Sequence, residues 1–549
     1  MPTAPSPSPS PSPAAASLPA GGAAGAPDKV TYTSANIDLA DFHRRFDAAL
    51  ARVRAAAGAS YPLYIDGAPA DGGGRPIIDR SPIDTRVELG TFAAASPAQV
   101  DRAVTAAKDA QRDWGHRPWQ ERVATLRRAS ALIRERKYDL AARMSIEVGK
   151  SRLEAMGDAE EAADLIDYYC QQVVDADGFV RPMARLTPRE RNVDVLRPYG
   201  VFTCIAPFNF PLALSAGMSG AALVAGNAVV YKPAEDAPWT GLGLYEVYRD
   251  AGLPDGVFNY LAGHASEMGD ALWQHPRVDG VVFTGSKAVG MRIHAGLAAG
   301  RWIKPCLLEM GGKNATVVTE SADLAAAAEG VARSAFGLQT QKCSATSRVY
   351  VDRRVADRFI EALLARTAAI RIGDPTERDV TFGPVINERS VERYLRGVEQ
   401  ARADGGPEAI LAGGARLTDG ALAHGFYVAP TVARLPLAST LFRDELFVPI
   451  LAVGVVGGLE EAIDETNAAE YGLTAGIFTA RAEEISRFFD EVEAGVCYAN
   501  KRTGATTGAW PGAQPFCGWK GSGSTGKGGC GPYYVAQFLR EQSRTVIDE

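Results

Sequence analysis

From Val201 onward the 549-residue chain alternates short apolar runs with amphipathic stretches, and this rhythm limits the available architectures more than any other feature. VFTCIAPF (from Val201), NAVVYKP (from Asn227), GVFNYLAG (from Gly256), DGVVFTGS (from Asp279) and KPCLLEMGG (from Lys304) predict strands. Between them LSAGMSGAALVAG, TGLGLYEVYRDAG, SEMGDALWQH and KAVGMRIHAGLA are each long enough for several helical turns. Strand–helix alternation implies a parallel sheet covered on both faces, with ligands received at the carboxyl ends of its strands. The fold class is therefore α/β, and a nucleotide-binding domain is the natural expectation. A second alternating series from Ala315 to about Gln514, including RVYVDRR, FVPILAVGVV and GIFTA, predicts another α/β domain. Residues 99–172, rich in Ala, Arg and Glu at helical spacing, predict several long helices.

Composition narrows the partners. Apolar residues make up 46% and charged residues 22%, and no run approaches the roughly 18 apolar residues of a membrane span, as expected of a soluble protein. The net charge of -7 comes from interspersed acids and bases, which argues against a nucleic-acid partner. Seven cysteines without CxxC spacing and six scattered histidines without HExxH argue against a disulfide framework and against a metal site. Residues 1–28 alternate Pro and Ser and read as a disordered tail, without the basic start and apolar stretch of a secretory leader. The cytoplasm is the expected location.

Four segments can carry chemistry, each with a plainer alternative. QKCSATSR places Cys343 among small and hydroxylic residues. A thiolate there is a nucleophile whose product oxyanion turn amides can hold, but a buried packing cysteine fits equally. LLEMGGKN ends an apolar strand on Glu309 before two glycines, which presents either a general base or a solvated carboxylate. APFNFPLAL sets Asn209 at a strand end, as an oxyanion donor or a turn residue. FTGSKAVG places Ser286 where a helix begins, as a phosphate site or a simple cap. VVYKPAED adds Lys232 and Glu235 at the second strand's end, where an acidic group accepts from ribose hydroxyls and repels a 2′-phosphate.

Together these segments resemble the aldehyde dehydrogenase superfamily, over nearly everything from Tyr61 to Val546. APFNFP, KPAE, FTGS, LEMGGK, QKCSA, GFYVAPT, DELFVPI and EYGLTAGIFT occur in family order. The resemblance implies a Rossmann-type NAD-binding domain (29–179 and 199–311), an α/β catalytic domain (312–516) and a small β oligomerisation arm (180–198 and 517–549). It implies Cys343 as nucleophile toward an aldehyde, Asn209 as oxyanion donor and Glu309 as activator of the hydrolytic water. For NAD it implies Ile205, Phe208, Lys232, Glu235, Gly285, Ser286, Gly290, Glu445 and Phe447. Within the superfamily the chain is most similar to L-glutamate γ-semialdehyde (1-pyrroline-5-carboxylate) dehydrogenases, through PFNFP, KCSA and a TGA-type loop before QPF.

That likeness implies a nest for the substrate α-carboxylate at Ser344, Gly508 and Ala509, with Phe210 and Phe516 flanking its methylene chain. The substrate ammonium requires an acidic partner, and Glu161 and Asp164 share a helix face at i, i+3 spacing. Two departures accompany it: TGA occurs twice, at Thr503–Ala505 and Thr507–Ala509, and Cys517 and the KGGCGPYY tail differ from the usual pattern. An aldehyde dehydrogenase for another semialdehyde or an aromatic aldehyde, with NAD or NADP, is the alternative within the class. A non-catalytic structural use of the fold is the alternative outside it. RERNVDVLRPYG and QFLREQSRTV alternate as edge strands do, and in the family such pieces pair between subunits, so at least a homodimer is expected.

Overall fold

A computed structural model describes residues 29–31, 37–502 and 510–548. The tail at 1–28 and both TGA copies, with Gly508 and Ala509, lie outside the described residues.

The alternation from Val201 closes into a seven-stranded sheet whose order across is Cys306–Glu309, Gly280–Thr284, Val201–Ile205, Ala228–Lys232, Phe258–Tyr260, Leu63–Ile65 and Ala68–Ala70. The first five strands are parallel. The chain winds outward from Val201–Ile205, then returns to its other side, so winding direction reverses between Val201–Ile205 and Gly280–Thr284. The crevice at the carboxyl ends of those two strands is the topological switch point where such sheets receive ligands. Ala228–Lys232 and Gly280–Thr284 are buried at every residue, as strands covered on both faces must be.

An antiparallel hairpin, Leu63–Ile65 with Ala68–Ala70, extends this sheet. Its two-residue turn, Asp66–Gly67, has φ of 55° and 72°, the positive pair that a type I′ turn demands. The Asp-Gly dipeptide is the sequence signal for this element.

The long helices of residues 99–172 are Pro97–His116, Trp119–Val148 and Arg152–Asp175. The first begins with a capping box between Ser96 and Gln99, and the second ends where Gly149 turns left-handed at φ 73°. The second seven-stranded sheet runs in the order Ile410–Ala412, Thr431–Arg434, Ile450–Val456, Thr346–Asp352, Asn314–Val318, Thr474–Phe478 and Val496–Ala499. It is parallel except at Ile410–Ala412.

The two segments read as edge strands pair with each other within the chain, antiparallel, from Leu539↔Pro198 to Ile547↔Glu190, and Val180–Pro182 completes that sheet. Of residues 517–549, only Leu539–Ile547 enters it. Trp519–Lys520 instead pairs with Tyr471–Gly472, and Ser522 and Ser524 bond to the strand that ends in Glu309. Among the described residues no helix is long and apolar enough to cross a membrane.

Candidate active site

One cavity collects six of the ten residues expected for catalysis and substrate binding. Cys343, Ser344, Glu309, Phe210, Phe516 and Glu161 all contribute to its wall. They arrive from five separate segments of the chain, so the geometry is a product of tertiary packing.

Cys343 follows a strained turn. Leu338, Gln339 and Thr340 have φ of 45°, 54° and 62°, three consecutive non-glycine residues in the left-handed region, at roughly 1–2 kcal/mol each. Thr340 Oγ1 holds the turn by donating to Ala335 O at 2.5 Å. Asn314 holds the other side, donating through Nδ2 to Cys343 O at 2.7 Å and Ala345 O at 2.9 Å and accepting from Thr474 N. Sequence reading passed over Asn314, although it ends the LEMGGKN segment. Burial pushes the Cys343 thiol up to about 12, with the carboxylates of Glu445 and Glu309 adding to the rise. A neutral thiol at physiological pH needs a proton acceptor before it can attack.

Glu309 ends the strand Cys306–Glu309, and its Oε1 accepts from Gly529 N at 3.0 Å. Burial raises its carboxyl to about 7, with the Gly529 amide opposing the rise. A carboxyl poised near neutrality in a cleft has the profile of a general base. Gly529 belongs to the tail segment that departs from the family pattern, and it was not anticipated. The backbone there packs so closely that a Cβ on Gly528 would lie 1.7 Å from Phe516 O.

Phe210 and Phe516 occupy the cavity wall, and Tyr169, Tyr534, Cys530 and Lys342 join them unforeseen. Lys342 Nζ donates to Glu154 at 2.7 Å. Asn209 is buried in the turn after Val201–Ile205, between Phe208 and Phe210. Of the two candidate acids on the helix Arg152–Asp175, Glu161 lines the cavity. Asp164 does not. It accepts from Arg134 at 2.8 Å and from Trp510 Nε1 at 2.7 Å and also pairs with Lys29. Asp164 thus has three donors on one carboxylate, whereas Glu161 faces the cavity.

The expected cofactor residues lie at or beyond the carboxyl ends of Val201–Ile205, Ala228–Lys232 and Gly280–Thr284, with Glu445 and Phe447 supplied by the second α/β unit. Ile205 ends its strand in register with Lys232 and Phe283. Gly285 and Ser286 follow the strand Gly280–Thr284, and Ser286 caps the helix Lys287–Ala298 by accepting from Val289 N. The first turn of such a helix presents amides and a positive dipole end to an anion, which suits a pyrophosphate. Gly290 lies one turn in, against Met310. Lys232 Nζ donates to Pro233 O, and Glu235 accepts from Ala265 N at 2.6 Å while facing His264 at 2.9 Å. Glu445 accepts from Gly312 N at 2.9 Å, and a Cβ on Gly311 would lie 1.8 Å from its carboxylate, so the Gly-Gly pair permits this approach. Burial lifts the Glu445 carboxyl to about 7. Phe447 stands edge-on to Phe208 at 6.0 Å, linking the two α/β units across the crevice. Among the described residues no group of three His, Cys, Asp or Glu could hold a metal ion.

Comparison with known proteins gives a consistent picture. The model of the aldehyde dehydrogenase family matches residues 70–543. A 1-pyrroline-5-carboxylate dehydrogenase of Halalkalibacterium halodurans is 36% identical over 510 residues, 92% of this chain and 96% of the relative. The enzyme of that name from Bacillus subtilis is 34% identical over 529 residues, 94% of this chain and 100% of the relative. A solved structure of 1-pyrroline-5-carboxylate dehydrogenase from Thermus with bound NAD superposes with a TM-score of 0.88 at 34% identity, covering 95% of this chain and 99% of the other.

Proposed function

The chain belongs to the aldehyde dehydrogenase family, and on that premise we propose that it oxidises L-glutamate γ-semialdehyde, the open form of 1-pyrroline-5-carboxylate, to L-glutamate with NAD. The observation that carries this reading is the single cavity walled by Cys343, Glu309, Ser344, Glu161 and the two phenylalanines. The names of the relatives from Halalkalibacterium halodurans and Bacillus subtilis, and the NAD bound in the Thermus structure, support the substrate and the cofactor.

In this mechanism the Cys343 thiol gives up its proton as its sulfur bonds the aldehyde carbon, and Glu309, at about 7, is the acceptor within the cavity. The carbonyl oxygen becomes an oxyanion, held by the Asn209 amide and the Cys343 backbone N–H. Bound NAD would supply the two-electron acceptor for oxidation of the thiohemiacetal to the thioester. Glu309, after releasing the thiol's proton to solvent, takes a proton from water as the water oxygen bonds the thioester carbon; the C–S bond then breaks, that proton returns to the leaving sulfur, and the acid product loses its own proton and leaves with Cys343 restored. Ile205, Phe208, Lys232, Glu235, Gly285, Ser286, Gly290, Glu445 and Phe447 would hold the cofactor. The carboxylate of Glu235 disfavours a 2′-phosphate and so favours NAD.

The substrate ammonium meets Glu161 and its α-carboxylate meets Ser344; Gly508 and Ala509, which the family likeness adds to the carboxylate's partners, lie outside the described residues. Phe210 and Phe516 face the methylene chain. The folding units are residues 29–179 with 199–311, then 312–516, with an arm of 180–198 and 517–549 that joins subunits. Exposure of that nine-residue edge strand, including Val546 and Ile547, supports a homodimer or larger assembly. Seven free cysteines suit a cytoplasmic, reducing setting.

An aldehyde panel with NAD reduction tests the reading. The expected result is a higher kcat/KM for glutamate semialdehyde than for an uncharged aldehyde of equal length. Equal values would make the charged ends irrelevant and return the substrate to another aldehyde.

A further inference from the structure

A second cleft opens at the other end of the first sheet, beside the amino ends of the strands Val201–Ile205 and Gly280–Thr284. At about 3.3 Å per residue, a five-residue strand separates it from the switch point by about 15 Å. Its volume is about 410 Å³, within the range of small-molecule sites. The helix Pro97–His116 forms one wall and the base of the arm, Arg197–Tyr199 with Arg540–Gln542, forms another.

Cations dominate this cleft: Lys108, Arg112, Arg197, Arg277 and Arg540. Asp109 and Glu541 are the carboxylates in its wall. Lys108 is paired with Asp279 at 2.6 Å, and Arg277 with Asp109 at 3.5 Å. Arg112, Arg197 and Arg540 form no ion pair among the described residues.

The arrangement of the last two is unfavourable without a ligand. Arg540 and Arg197 are direct cross-strand partners, so two guanidiniums issue from opposed positions where like charges destabilise a sheet. Arg540 is also set over the Tyr199 ring at 5.7 Å, which orients its fork. Guanidinium forks engage carboxylate and phosphate oxygens in pairs, and an anion between them turns the repulsion into attraction.

We propose that this cleft is a binding site, separate from the active site, for a small oxyanion carrying two or more negative charges on phosphate or carboxylate groups. Arg112, Arg197 and Arg540 are its principal ligands, and Tyr199 fixes one of them.

Calorimetric titration of the full chain at low ionic strength, with NAD in excess to occupy the dinucleotide site, tests this with inorganic pyrophosphate and citrate as probes. One site per chain is expected, weakening as salt is added. Arg112→Gln, at an exposed position of the helix Pro97–His116 and outside the arm's strand pairing, is expected to raise Kd at least about tenfold and leave kcat/KM unchanged. Arg197→Gln with Arg540→Gln is expected to raise it further. Binding of pyrophosphate alone assigns the site to phosphates, citrate alone to carboxylates, and both to the shared chemistry. No binding of either probe, or the same Kd in Arg112→Gln, overturns the proposal. A change of mass in light scattering for the double variant, with neither probe bound by the parent protein, would instead make the cleft a seat for a second copy of the chain.

Discussion

Replacing Glu309 by Gln preserves the side chain's shape and its ability to accept from Gly529 N–H, and removes only the titration. The carboxyl titrates at 4.5 when unperturbed and at about 7 in the fold. A carboxyl raised in this way binds its proton more tightly folded than unfolded. The folded state therefore loses stability as pH rises from about 4.5 to about 7, and above that range the loss is constant. At about 1.4 kcal/mol for each pH unit, the wild-type chain carries as much as about 3 kcal/mol of destabilisation at pH 8 that it lacks at pH 4. Glu309→Gln removes this cost, so its thermal midpoint relative to wild type is expected to rise between pH 5 and pH 8. Catalysis changes in the opposite sense. Without a general base the thioester hydrolyses about 10² to 10⁴ times more slowly. Rapid mixing with the semialdehyde is expected to show NADH forming slowly from the first turnover onward, because Glu309 also receives the Cys343 proton, and the rise of wild-type turnover through pH 7 is expected to vanish. A variant that kept that rising limb, or whose midpoint tracked wild type from pH 5 to pH 8, would refute the assignment of both the shifted carboxyl and the base.

Cys343→Ala is expected to lower NAD reduction to background, at least about a thousandfold, while still binding NAD by fluorescence titration. Glu161→Gln is expected to lower kcat/KM for the semialdehyde by about 10- to 100-fold, the loss of one charged hydrogen bond, and to spare an uncharged aldehyde, whereas Asp164→Asn leaves the ratio between the two substrates unchanged. Lys150 and Asp158 are a fully buried ion pair at 2.5 Å, with Lys150 Nζ 3.8 Å above the Phe210 ring and Asp158 also accepting from Ala213 N. Lys150→Met strands a buried charge and is expected to cost about 3–5 kcal/mol in urea unfolding, with Asp158→Leu in the same chain restoring part of it. A chain ending at Phe538, which lacks the outer arm strand, is expected to run at a smaller assembly mass in light scattering than the full chain.

Much of the fold was legible because the relevant signals are local. Alternating apolar runs from Val201 mark strands whose registers are then set by the parallel crossover units, and each predicted helix between them occurs. The hairpin Leu63–Ala70 was missed although its Asp-Gly turn is itself a local signal. Its membership of the sheet required knowing that Tyr64 meets Tyr260, nearly two hundred residues later. The arm is a similar case. Both of its long strands were visible as alternating segments, but alternation does not name the partner, and here they pair with each other. Within the stretch 517–538, which the family likeness groups with the arm, Trp519–Lys520 pairs with Tyr471–Gly472 and Gly529 N–H donates to Glu309, contacts that no local pattern announces.

By itself the sequence determined which residues can do chemistry: a cysteine in a turn of small residues, a glutamate ending an apolar strand, a serine opening a helix, and a family order that joins them. Tertiary structure decided what surrounds each one. It brought Glu161 to the cavity and gave Asp164 to Arg134, Lys29 and Trp510, although the two acids share one helix face. It lifted Glu309 to about 7 and Cys343 to about 12, since a pKa depends on how much water and which charges packing leaves nearby. It also opposed Arg197 and Arg540 across a ladder that spans more than three hundred residues of chain. Residue type and local periodicity are written along the chain, whereas burial and long-range pairing exist only once distant segments have packed.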